Sequence, residues 1–253
     1  YEERLPAARW LAPGTWPTFR KTPARPANSI RRNLVRSMAF DMQVGTSPFH
    51  RTDPGVPMRN LETATLKLGI FHPHDSLSQA LIAAALQRQI EVSALQADLN
   101  SLQARPGLRC KPASLASSIE VSQAAAGLDL LFAPLSDYAA EALPPICAAL
   151  IDGALRAEVP RLFLLGHWQW LVAPRDAGEE QLGAGLERSL TVSGLDWTLV
   201  EVPSLPAGLR IDDFSRAGDV AEVEAARVFA CAEALLDEVR LGLHKRQCLR
   251  LAP

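Results

Sequence analysis

Cysteine is scarce in this 253-residue chain and poorly placed for a framework. The four residues, Cys110, Cys147, Cys231 and Cys248, lie far apart and form no C-x-x-C pair. Neither a zinc site nor a disulfide scaffold is expected, and buried free thiols in a reducing compartment are the simpler reading. No apolar run approaches the roughly 20 residues that cross a bilayer. No G-x-S-x-G elbow offers a serine nucleophile, and no internal repeat is evident.

What is present belongs to a globular protein with a core: 48% of residues are apolar and 21% are charged. The net charge of -2 hides an asymmetry. Residues 1–58 carry Arg4, Arg9, Arg20, Lys21, Arg25, Arg31, Arg32, Arg36 and Arg51 against Glu2, Glu3, Asp41 and Asp53. That leaves +5 on this segment and -7 on residues 59–253. The segment is also rich in proline, with Trp10, Trp16, Phe19, Phe40 and Phe49 scattered through it. Proline breaks both hydrogen-bond ladders, so 1–58 is expected to be an extended basic arm, with one helical candidate over 28–42. Trp10, Trp16, Arg20, Arg31 and Arg32 are its candidate contacts with other protein subunits. Packing on the chain's own domain is the competing reading, and nucleic acid is a further partner for a basic tail, without a motif to support it. The chain starts at Tyr1. Removal of a presequence would give such a start, and Arg-rich, acid-poor stretches are typical near transit peptides. An organellar, mitochondrial location is therefore expected, with the cytoplasm as the alternative.

From Leu66 the pattern becomes regular. Strands are predicted over 66–71, 90–95, 108–111, 128–133, 161–166, 196–202 and 247–251. Helices are predicted over 76–87, 118–126, 145–156, 179–193 and 219–239. Strands that alternate with helices pair in parallel, and continuous apolar runs such as LDLLF and RLFLL suit strands covered on both faces. The expected fold is α/β, a Rossmann-like doubly wound parallel sheet over 59–253 that follows the N-terminal arm.

Several phrases carry a family resemblance. KLGIF with IEVSAL some twenty residues on, ARPGLRC before AAAGLDLLF, VPRLFLLG and SGLDWTLVEVP follow one another in order. This order resembles the atypical short-chain dehydrogenases, the NAD(P)H-binding group of NmrA-like and flavin-reductase-like proteins. The resemblance implies a G-x-x-G-x-x-G loop after the first strand, where glycines let the backbone approach a pyrophosphate at a helix N-terminus. Its three glycine positions hold His72, Asp75 and Ser78. A carboxylate about 4 Å from a phosphate charge costs on the order of 4 kcal/mol at an effective dielectric near 20, roughly a thousandfold in affinity. Asp75 also stands where a helix N-cap is wanted.

The remaining family positions depart in the same direction. Ala97 stands where the resemblance implies an arginine for the cofactor's extra phosphate. Ala113-Ser114 replaces a Gly-Asp pair whose acid, at Ser114, holds the adenine. Tyrosine occurs only at Tyr1 and Tyr138, so no Tyr-x-x-x-Lys exists. His72, His74 and Asp75 read as a strand-to-helix turn sooner than as a metal site, and Trp168 and Trp170 beside His167 as cleft filling or a protein contact sooner than catalysis. These departures lead to the expectation of a scaffold with no bound cofactor and no catalytic residue. The expected role is an accessory subunit in a larger organellar assembly, as the resemblance implies for some members of the superfamily. The alternative is an NAD(P)H-dependent oxidoreductase, with NADP as cofactor and an unorthodox phosphate loop. A third reading is a small-molecule or RNA sensor that has changed its ligand.

Overall fold

A computed structural model describes residues 9–11, 66–215 and 221–252. The 58/59 boundary, the helix expected over 28–42, and Trp16, Arg20, Arg31 and Arg32 lie outside the described residues. Strand β1 (Arg9–Leu11) comes first. β2 (Lys67–Phe71) leads through α1 (Ser76–Gln87) to β3 (Glu91–Leu95) and β4 (Leu108–Lys111). α2 (Ser118–Ala125) returns to β5 (Leu130–Pro134), and α3 (Leu143–Arg156) to β6 (Arg161–Gly166). α4 (Gln169–Val172) and α5 (Ala177–Ser193) precede β7 (Asp196–Glu201), and α6 (Ala221–Leu241) precedes β8 (Gln247–Ala252).

Local chemistry sets these boundaries. Asp75, Ser117 and Asp176 each accept a backbone N–H three residues on, which starts α1, α2 and α5. Gly194 stops α5 in the left-handed conformation at φ 76°. β6 is buried along its whole length, as a strand covered on both faces must be.

Seven strands pair in parallel in the order β4-β3-β2-β5-β6-β7-β8, and β1 adds antiparallel to β8. The sequence therefore folds into the expected Rossmann-like doubly wound sheet. α1 and α6 cover one face and α2, α3 and α5 the other, so neighbouring β6 residues part company. Leu162 and Leu164 join the core under α2, α3 and α5, while Phe163 and Leu165 join the core under α1 and α6. Strand order reverses between β2 and β5, which places a crevice at their C-terminal ends, the position where open α/β sheets bind ligands.

The observed elements lie close to those predicted. Short α4 and the single 3-10 turns Ala140–Ala142 and Ile211–Ser215 escape periodicity because they are too brief to show a period. Cys147, Cys231 and Cys248 are buried free thiols and Cys110 is half-buried. Burial pushes Cys147 and Cys248 up to about 12 and Cys231 up to about 11. Among the described residues no helix is long and apolar enough to cross a membrane.

Candidate functional site

The turn from β2 into α1 stands at the switch point between β2 and β5. His72 stands at the first glycine position with φ +41°, a conformation that glycine adopts freely and other residues only at a cost of roughly 1–2 kcal/mol. Its amide donates to Leu95 O at 2.9 Å, which ties the turn to the end of β3. Its half-buried imidazole meets the Tyr138 hydroxyl, with Nδ1 and the phenol oxygen 3.3 Å apart. Burial, and then neighbouring His74, hold His72 below its usual pKa. Burial, and then Asp137, raise that of Tyr138. This pair bridges the β2 and β5 loops across the switch point.

Asp75 is the N-cap of α1. Its Oδ1 accepts the Ser78 N–H at 2.9 Å, and its Oδ2 accepts the buried Ser78 hydroxyl. The carboxylate thus occupies the positive end of the helix, where unpaired N–H groups and the aligned peptide dipoles favour an anion. A loop ahead of α6 closes over the same turn. Leu209 N donates to Ser76 Oγ at 3.1 Å, and Ile211 N donates to Gln79 Oε1 at 3.3 Å. The Gln79 amide in turn donates to Pro73 O. Arg105, on the loop between β3 and β4, pairs with Asp212 at 2.7 Å and joins the two loops.

On the same side of the switch point as β2, a groove of about 520 Å³ lies between the ends of β3 and β4 and helix α2. Ala97, Lys111, Ala113 and Ser114 line it together with Glu120 and Gln123. Lys111 Nζ rests near the last carbonyls of α2, 3.4 Å from Ala124 O and 3.3 Å from Ala126 O. Ser114 Oγ accepts the Ala116 N–H at 3.0 Å. At the end of β3, Gln96 is fully buried and neither amide atom of its side chain has a hydrogen-bond partner.

Several sequence candidates come together here and others do not. His72, Asp75 and Ser78 share the turn, while Ser114 lies in the neighbouring groove. Trp168 is instead a core residue. Its indole N–H donates to Leu164 O and Val200 O at 3.3 and 3.1 Å, and its backbone N–H donates to the buried Glu201 carboxylate. His167 is exposed, 3.8 Å from Glu201. Among the described residues no group of three His, Cys, Asp or Glu side chains is arranged to hold a metal. Of Trp10 only the backbone is described, paired with Leu251. Sequence reasoning passed over Gln96 and Tyr138. A glutamine at the end of the apolar strand EVSAL was a visible signal, whereas the approach of Tyr138 to His72 depends on the β2–β5 crossover.

No family model and no curated protein matches the sequence. Solved structures do match. A short-chain dehydrogenase/reductase from Veillonella parvula, in complex with NADP, gives a TM-score of 0.53 at 13% identity, over 74% of this chain and 94% of its own. An oxidoreductase from Lactococcus lactis gives 0.54 at 13% identity, over 74% and 90%. A Burkholderia pseudomallei protein, provisionally named as exported, gives 0.53 at 21% identity, over 75% and 100%. These neighbours overturn the expectation of a scaffold without cofactor: the architecture is one that carries nucleotide cofactors, and one neighbour was solved with its NADP. Nothing in them supports a pseudoenzyme, an assembly subunit or a mitochondrial protein. The chain has the Rossmann fold of the NAD(P)-binding proteins, shared with the short-chain dehydrogenase group that its sequence resembles.

Proposed function

We propose that the domain binds a nicotinamide dinucleotide and works as an NAD(P)H-dependent oxidoreductase of the atypical short-chain dehydrogenase type, with an unorthodox phosphate loop. The groove beside the switch point carries this reading. It is open, lined by small side chains at Ala97 and Ala113, and supplied with a cation at Lys111 and a hydroxyl at Ser114. It also lies on the side of the sheet where the first half of a doubly wound fold holds the adenosine of a dinucleotide. The fit is uneven. The residues of the groove suit an adenosine moiety, whereas the Asp75 carboxylate at the start of α1 opposes a diphosphate. When bound, the cofactor supplies the hydride chemistry. The chain contributes the groove, the turn and the closing loop over residues 205–211, and no residue is assigned a catalytic role.

Calorimetric titration of the full chain with NADPH and NADH, with thermal melts in parallel, tests the proposal. Saturable binding with a rise in melting temperature is expected, because a ligand held only by the folded state stabilises it. Silence in both measurements at about millimolar cofactor, an affinity no stronger than about 4 kcal/mol, would remove the reading.

A further inference from the structure

A second cavity, of about 240 Å³, lies where α4 and α5 meet β7. β7 stands two strands beyond β5, so this space is separate from the switch point and from the groove beside β3 and β4. Trp170 and Leu171 of α4, Leu186 and Leu190 of α5 and Leu199 of β7 give it an apolar lining. Gly183 lies in the middle of α5, where glycine disfavours the helix. A Cβ there would stand 3.2 Å from Leu171 Cδ2 and 3.7 Å from Trp170 Cζ3, so the small side chains at Gly183 and Ala184 keep the space open. Trp170 is half-buried and its Nε1 is fully covered. The cavity therefore meets the carbon edge and π face of the indole.

The charge in this lining has one sign, with carboxylates at Glu179, Glu180 and Glu187 and no cation. Glu179 is already answered. Its Oε2 accepts Arg175 N at 2.7 Å and its Oε1 accepts Arg175 Nε at 2.8 Å. Glu180 and Glu187 have no cationic partner among the described residues. Two turns separate them along α5, a rise of about 10 Å, so they share one face with Gly183 and Ala184 between them. Glu187 is half-buried. Burial first, and then the Glu187 charge, push the Cys248 thiol of β8 up to about 12, so this carboxylate is turned toward the sheet. A carboxylate drawn out of water beside an apolar cavity is costly without a counter-charge. A neutral ligand leaves both carboxylates unanswered, and a single amine answers one.

We infer that this cavity is a binding site for an aliphatic diamine: the hydrocarbon chain lies against Trp170 and the leucines, one ammonium meets Glu187, and the other meets Glu180 at the rim. The indole face adds its own attraction for the cationic ends. The site stands independently of the nucleotide reading.

Diaminopentane, pentylamine and pentanol, titrated calorimetrically into the full chain at about 0.15 M salt to screen its acidic surface, test this. Diaminopentane is expected to bind about tenfold more tightly than pentylamine, and pentanol not to bind at about millimolar concentration. Glu187→Gln should weaken the diamine about tenfold and Glu180→Gln, at the exposed rim, about threefold. Ala184→Leu fills the cavity with a good helix former and should abolish binding with an unchanged melting temperature. No diamine binding at about millimolar concentration, or equal binding of diamine and monoamine, would overturn the proposal. Full diamine affinity in both E187Q and A184L would place the amine elsewhere on the surface and overturn it as well.

Discussion

At His72 the chain holds a non-glycine residue at φ +41° where the fold favours glycine. The side chain that comes with this conformation is half-buried. Burial first and His74 second keep the folded imidazole below its ordinary 6.5. The unfolded chain therefore takes up a proton at a higher pH than the folded one. The stability linked to His72 is complete above 6.5 and drains as the pH falls through its lower folded value. In His72→Asn, whose side chain tolerates the left-handed region, the melting temperature should fall less than in wild type between about pH 7 and about pH 5. Parallel profiles would show that the imidazole stays equally free to protonate in the folded chain. The departure of His72, Asp75 and Ser78 from the glycine pattern was legible in the sequence. Their joint consequence was not, because the Ser78 hydroxyl on Asp75 and the Tyr138 hydroxyl beside His72 are fixed by the folded turn.

The helices pack closely enough to leave a mark in sequence. Gly153 of α3 faces Val121 of α2, and a Cβ at Gly153 would collide with the Val121 side chain and stand 3.0 Å from Ser118 O. Both elements contribute to the core under α2, α3 and α5. Gly153→Ala raises intrinsic helix propensity by about 1 kcal/mol, yet overpacking of this kind costs about 1–3 kcal/mol. A net loss of stability is expected in denaturant melts, and Val121→Ala in the same chain should recover part of it. Greater stability in G153A would mean that α2 moves away freely. The period of each long helix and the apolar runs of β5 and β6 made these elements readable from Leu66 onward. The 205–211 loop was unreadable for a different reason. It docks through the Leu209 and Ile211 backbone N–H groups onto Ser76 and Gln79, and backbone donors leave no trace in side-chain pattern.

For the molecule as a whole, topology followed from the alternation of strands and helices, since parallel crossovers allow few arrangements. The order β4-β3-β2-β5-β6-β7-β8 fixes the crevice between β2 and β5 whatever side chains fill it. That explains why the location of the candidate site was legible and its ligand chemistry was not. Fold neighbours at 13% and 21% identity share this frame.

The pairing of β1 with β8 has a bearing on solubility. Arg9, Trp10 and Leu11 match Ala252, Leu251 and Arg250, so a short stretch of the chain far from the sheet in sequence shields the last strand. An uncovered strand offers a row of N–H and C=O groups to any other chain. Deletion of 1–58 should leave the Rossmann unit folded, with its far-ultraviolet spectrum retained, but should bare this part of β8. Sedimentation is then expected to show self-association that grows with concentration in the truncated chain and not in the full one. A truncated chain that stays monomeric would mean that β8 is guarded by its own charges. On this view three residues of the basic N-terminal segment act as a guard against growth of the sheet from one chain into the next.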